Sequence, residues 1–151
     1  MAGLYFEEFT LQHRFVHDIR RTVTETDNLL FSALTYNPAR VHIDHDYAGG
    51  TEFGKPLVNS VFTLGLIIGL SIYDTTLGTT VANLGMTETV FPKPVFVGDT
   101  IRVETVVVDL RASKSRPNQG IVTFEHMGIN QRDEVVCKTR RAALMLRKSK
   151  R

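Results

Sequence analysis

Residues 57–73, LVNSVFTLGLIIGLSIY, constrain the fold of this chain more than any other stretch, because the run is apolar apart from Asn59, Ser60, Thr63 and Ser71. At 17 residues it sits at the lower edge of a bilayer-spanning helix, and its polar groups suit a helix buried in a protein core instead. Such a helix needs the rest of the chain wrapped around it. The Gly65/Gly69 pair has GxxxG spacing, which predicts a helix face pressed close to a sheet.

The remaining segments read as the wrapping. Phe15, Val16, Ile19 and Val23 suggest a first strand reaching Thr22. Thr24 and Asp27 then have capping-box spacing, and Leu30, Phe31 and Leu34 recur at helical intervals, so a short helix over about 25–35 is predicted, ended by Pro38. Beyond the apolar run, 81–90, 95–110 (broken by a Gly98-Asp99 turn), 120–130 and 134–146 read as strands. Both faces of 103–109 are partly apolar, which places that strand inside a sheet. The result is α+β: one domain over 1–151, a curved, mainly antiparallel sheet around a long central helix, with an arm at 1–13 and a basic tail at 147–151.

Composition narrows the function. With 42% hydrophobic and 23% charged residues the chain is a globular domain, and a formal charge of +2 gives no global argument for nucleic acid. The basic residues crowd the C-terminus, where Arg140, Arg141, Arg147, Lys148, Lys150 and Arg151 fall. The tail reads as solubilising. A single cysteine, Cys137, suits a reducing compartment, and MAGLYFEEF carries no basic leader before an apolar segment, so a cytoplasmic protein with no membrane partner is expected.

Chemistry is expected at 36–48, YNPARVHIDHDYA, which is too polar for a buried strand yet lies beside the apolar helix. His42 is the candidate proton carrier, since an imidazole titrates near neutrality. The HIDHD run at 42–46 has metal-capable side chains but no distant partner, so no metal is expected. His13, His17, His45 and His126 read as surface or packing residues. The loop 111–119, RASKSRPNQ, is strongly basic through Arg111, Lys114 and Arg116.

Four stretches together, FSALTYNPARVHIDHDYA, FGKPLVNSVFTLGL, FPKPVFVGDTI and SKSRPNQGIV, resemble the MaoC-like hydratases of the hotdog fold, most closely the branch acting on mesaconyl-, itaconyl- and methylmalyl-CoA. The resemblance implies a hydro-lyase for a short, branched or carboxylated enoyl-CoA, with no cofactor beyond the substrate's coenzyme A. It also implies a homodimer or an assembly of dimers. The family signature GDxNPxHxD pairs an aspartate with the histidine five residues later. Here Asn37 stands five before His42, while Asp44 keeps its place two after it.

By this likeness His42 carries the proton, Asn37 positions the water, and Asp44 orients the histidine or a neighbouring loop. The Ser60 N–H, at the start of the central helix, receives the enolate oxygen. Arg40 and Asn59 contact the acyl group, Arg40 as reader of a second carboxylate. Arg111, Lys114 and Arg116 hold coenzyme A phosphates, in a site commonly shared between subunits. A thioesterase and a non-catalytic acyl-CoA-binding module are the alternatives on the same fold.

Overall fold

The computed structural model describes residues 3–148. Of the basic tail, Arg147 and Lys148 pair with Glu7 and Glu8 at 3.5 and 2.7 Å, and 149–151, on which much of the solubilising role was expected to fall, lie outside the described residues. A 3-10 turn at Phe6–Glu8 is followed by β1 (Arg14–Val16), β2 (Arg21–Thr22), α1 (Glu25–Leu34), α2 (Arg40–Ile43), α3 (His45–Gly49) and α4 (Ser60–Thr75). The long strands β3 (Thr80–Val90), β4 (Thr100–Ala112), β5 (Gln119–Ile129) and β6 (Val135–Leu146) complete the chain. All pairings are antiparallel, in the order β1-β4-β5-β6-β3 with β2 also on β4, so β4 is an interior strand and β3 an edge.

The α+β expectation of a sheet around the apolar helix holds. α4 turns Thr63, Ile67, Leu70, Ser71 and Thr75 inward, and Ile67 packs with Val103, Val136 and Cys137. Close approach of helix and sheet depends on Gly128, where a Cβ would lie 2.5 Å from Ile67 Cγ2. The GxxxG reading is corrected here: Gly65 and Gly69 are exposed, and a Cβ on either meets nothing. The N-terminal arm does lie over the fold, with Gly3 and Leu4 N–H bonded to the Leu77 and Thr75 carbonyls and Phe9 buried against Phe124.

α1 forms where its capping box predicts, Thr24 N–H donating to Asp27 Oδ2 at 2.8 Å and Asp27 N–H to Thr24 Oγ1 at 3.2 Å. Of the three apolar residues that mark it, only Phe31 is half-buried, against Phe62 of α4, and the two leucines face out. Asn28 and Ser32 are buried, while Leu30 and Leu34 are 54% and 73% exposed. The segment read as a loop at 38–48 contains two short helices, because the Asp44 carboxylate accepts the Tyr47 N–H at 2.9 Å and so starts α3 where α2 stops.

The turn before β4 holds the wall of the site to the sheet. Gly98 adopts a φ of +94, and its N–H reaches the Val23 carbonyl, while Asp99 Oδ2 accepts the Phe96 N–H. Asp99 Oδ1 takes Gln131 Nε2 at 2.8 Å and Arg132 Nη1 at 3.1 Å. Burial raises the Asp99 carboxyl, but these hydrogen bonds and the Arg132 charge more than offset it and leave the group below the usual carboxylate range. A carboxyl with a depressed folded-state pKa stabilises above its unfolded value, about 3.9, and the stabilisation is lost as pH falls through the lower folded value. Asp99→Asn, which must turn an N–H toward a donor, is expected to lower the thermal midpoint at pH 7, with the deficit shrinking below about pH 4. Thermal melts of both proteins across pH 2–7 check it.

Two of the histidines read as packing residues are buried in a polar chain. Asp74 Oδ2 meets His17 Nδ1 at 2.8 Å, His17 Nε2 meets Thr105 Oγ1 at 2.8 Å, and Thr105 Oγ1 meets His126 Nδ1 at 2.9 Å. Burial, with the Arg141 and His17 charges, holds His126 well below the ordinary imidazole range, so it stays neutral in the core.

Candidate active site

The sequence places a polar segment beside an apolar helix, and the fold brings the two to one cavity of about 280 Å³. Its walls are apolar, including Phe53, Val58, Val95 and Val136, and the polar groups reaching it are His42, Ser60, Thr63 and Lys93. His42 Nδ1 lies 2.9 Å from the Leu57 carbonyl. A carbonyl only accepts, so Nδ1 carries the proton and Nε2 is left as the basic nitrogen. A second hollow of about 150 Å³, lined by Glu25, Asn28, His45 and Lys55, also borders His42.

Asn59 caps α4, its Oδ1 accepting the Val61 N–H at 3.1 Å and its carbonyl accepting the Thr63 N–H at 3.2 Å. The Ser60 N–H meets no protein acceptor among the described residues and stands at the positive end of a 16-residue helix, on the cavity that His42 borders. An anionic oxygen is favoured at such a donor.

Asn28, which the sequence reading passed over, joins these two parts. Its Nδ2 donates to the His42 carbonyl at 3.0 Å and to the Leu57 carbonyl at 2.9 Å, and its Oδ1 accepts the Asn59 N–H at 2.8 Å. It is 2% exposed. One carboxamide therefore holds the histidine helix, the carbonyl that orients the imidazole and the cap of α4. The available signal was a polar residue in a helix set against the apolar run, which is weak without knowing which side of α1 faces in.

Several expected site residues are placed elsewhere. Asn37 Oδ1 accepts the Ala39 N–H at 3.0 Å, a turn role, and the side chain borders a hollow with Leu29, Tyr36 and Ile43 that His42 does not line. Asp44 caps α3 and pairs with Arg40 Nε at 2.8 Å, so the Leu57 carbonyl, not Asp44, orients the imidazole. Arg40, bound to Asp44 and stacked 4.6 Å over the Tyr47 ring, does not line the cavity. Asn59 is 3% exposed and committed to capping. The His45 imidazole pairs with Glu25 at 2.5 Å.

Arg111, Lys114 and Arg116 are exposed at the far end of the β4–β5 hairpin. Arg111 faces Ile121, and Ile129 faces Val135, so roughly 27 Å of strand separates the basic loop from the cavity wall. Within one chain the basic loop and His42 do not meet. Burial pushes the Cys137 thiol up to about 12, which leaves it protonated and without a nucleophilic role at neutral pH.

A curved antiparallel sheet around one long helix, with a histidine and a helix N-terminus on a shared cavity, defines a hotdog domain. A Mycobacterium tuberculosis protein described as having a double hotdogfold superposes with a TM-score of 0.86 at 24% identity, over 99% of this chain and 46% of that one. Residues 8–130 match the MaoC like domain, and the chain belongs to that family. A mesaconyl-CoA hydratase from Cereibacter sphaeroides is 34% identical over 89% of this chain, and a beta-methylmalyl-CoA dehydratase from Chloroflexus aurantiacus is 31% identical over 89%. The chain spans only 39% and 38% of those two proteins. Among the described residues, no helix is long and apolar enough to cross a membrane.

The placement of Arg40 makes a prediction. Its guanidinium is engaged by Asp44 outside the cavity, so Arg40→Ala is expected to leave the ratio of kcat/KM for a carboxylated over a plain enoyl-CoA within about twofold. Steady-state rates on mesaconyl-CoA and crotonyl-CoA check it.

Proposed function

We propose that this domain adds water to, and removes it from, the α,β double bond of a short enoyl-CoA. The observation that carries the reading is the pairing of His42 and the Ser60 N–H on one small apolar-walled cavity. With the thioester oxygen at Ser60, the reaction needs few parts. His42 Nε2 takes a proton from water as the water oxygen bonds to the β-carbon, and the π electrons move to the thioester oxygen, where the Ser60 N–H and the helix field stabilise the enolate. The enolate collapses as the α-carbon takes the proton back from His42, leaving the 3-hydroxyacyl thioester. Dehydration runs these steps in reverse.

One imidazole serves both transfers in this scheme, since Asn37 cannot transfer a proton as a carboxylate does and its oxygen is engaged by the Ala39 N–H. The cavity volume suits an acyl group of a few carbons, and the two relatives' names, mesaconyl and methylmalyl, suggest a branched or carboxylated one. No cofactor beyond the coenzyme A of the substrate is required. A cytoplasmic, reducing setting suits the one buried thiol.

The reading includes a homodimer. β3 is a sheet edge with Val81, Leu84, Met86 and Val90 between 37% and 50% exposed, and a second copy would cover it. A two-fold axis there reverses the partner's strands, bringing its Arg111, Lys114 and Arg116 to the end of the sheet where His42 lies, within reach of coenzyme A phosphates. One assay tests the activity: mesaconyl-CoA, itaconyl-CoA and crotonyl-CoA are offered, and enoyl absorbance is followed alongside free thiol. Loss of absorbance without thiol supports hydration. Thiol release would make the domain a thioesterase, and binding without either would make it an acyl-CoA-binding module.

A further inference from the structure

The cavity beside His42 contains a hydroxyl that nothing in the chain uses. Thr63 is 1% exposed, and its Oγ1 has no hydrogen-bond partner among the described residues. A helical threonine usually disposes of its hydroxyl on a carbonyl one turn back. Here the Asn59 carbonyl accepts the Thr63 N–H, and the Oγ1 makes no such bond. An unpaired buried hydroxyl destabilises the free protein, and a valine of the same shape would not carry that cost. A ligand acceptor in the cavity would recover it.

Lys93 is the one lysine or arginine on the same cavity wall. Lys93 is exposed and makes no ion pair within 4 Å among the described residues; its charge acts on Glu134, whose carboxylate is bonded to Asn130 and Arg132. The segment carrying it, 91–97, is pinned to the sheet by the Gly98-Asp99 turn, and Val95 accepts the Val58 N–H at 2.9 Å. A cation and a free hydroxyl donor thus share a cavity whose other walls, apart from His42 and Ser60, are apolar.

We infer that Thr63 and Lys93 form a subsite for a carboxylate at the far end of the acyl chain, so that the preferred substrate is a four- or five-carbon dicarboxylic enoyl thioester. This rests on the reading that the thioester oxygen sits at the Ser60 N–H. From Ser60 to Thr63 the helix rises about 4.5 Å. The first and fourth carbons of an extended acyl chain are about 4 Å apart at ordinary bond lengths. A carboxylate formed by that fourth carbon lies level with Thr63, accepts from its Oγ1, and has its charge balanced by Lys93. A plain crotonyl group leaves both unused.

The test compares mesaconyl-CoA with crotonyl-CoA in the full chain, by kcat/KM and, independently of turnover, by calorimetric Kd. Thr63→Val is expected to weaken the preference for mesaconyl-CoA by about tenfold, and Lys93→Met by roughly 10–100-fold, with crotonyl-CoA changed less than about threefold. Thr63→Ser should restore the preference. The thermal midpoint of Thr63→Val should stay level or rise, which a purely structural threonine would not permit. A parent protein with no mesaconyl-CoA preference in either readout overturns the subsite, as does a preference that both variants retain. Absence of hydration with a Kd preference that both variants abolish keeps the subsite and overturns the hydratase reading instead.

Discussion

Replacing His42 with alanine is expected to lower kcat for enoyl-CoA hydration by about 10²–10⁴-fold, the range associated with a general acid–base group. In the proposed scheme the imidazole moves the proton out of water and back to the α-carbon, so no second side chain on the cavity takes over. Lys93 is the other titratable group there, on a wall of otherwise apolar or hydroxyl-bearing residues. KM should change little, because in that scheme thioester binding relies on the Ser60 N–H and the apolar walls. His42→Asn separates chemistry from structure. Its carboxamide can still donate to the Leu57 carbonyl, which His42 Nδ1 now meets at 2.9 Å, while offering no base. Equal loss of kcat in both variants, with thermal midpoints within about 2 °C of the parent, identifies the proton carrier. Hydration at parental rates in His42→Asn would remove the histidine from the mechanism.

Asn28→Ala should harm both stability and rate, through one cause. Truncation strips the His42 and Leu57 carbonyls of a donor and the Asn59 N–H of its acceptor in a buried setting. The Leu57 carbonyl keeps the His42 imidazole as donor, so two groups are left unpaired at about 1–3 kcal/mol each, and a loss of about 2–6 kcal/mol is expected, or roughly 5–20 °C in thermal midpoint. Because the same carboxamide sets the spacing between the imidazole and the first turn of α4, kcat should fall by about 10²-fold, as a displacement near 1 Å produces in a reacting pair. Asn28→Asp keeps the acceptor for Asn59 but points oxygen at two carbonyls, and is expected to be no better. The distinguishing measurement is the split between kcat and KM well below the variant's melting range. A variant that is less stable but fully active would confine Asn28 to a structural role.

Local rules made most of the secondary structure legible. The Thr24–Asp27 capping box starts α1, alternation and turn residues bound β3, β5 and β6 within a residue or two, and the apolar run forms α4, whereas the strand expected over 95–110 begins only at Thr100, after the Gly98-Asp99 turn. These signals act between residues a few positions apart, where periodicity and capping are decided. The family signature likewise drew attention to His42 and Ser60, which the fold puts on one cavity. Asn37 matched the position of an aspartate, but matching a position does not aim a side chain, and its oxygen closes a turn with Ala39.

What tertiary structure decided is which way side chains face and which distant groups they meet. α1 buries Asn28 and Ser32 and exposes Leu30 and Leu34, because the α4 cap and the His42 helix present N–H and carbonyl groups that need polar partners. The imidazole is oriented by a carbonyl 15 residues away, and the His17, Thr105 and His126 chain links positions 88 and 21 residues apart. Arg40 lies two residues from His42 yet outside its cavity, whereas Lys93, from another segment, lines it. The sequence by itself determined the central helix, most of the long strands and the segment that carries His42, while the first strand expected to reach Thr22 is split into β1 and β2. Packing of α1, α4 and the 91–99 segment decided the rest, since buried polar groups are paired across the fold and that pairing has no period along the chain.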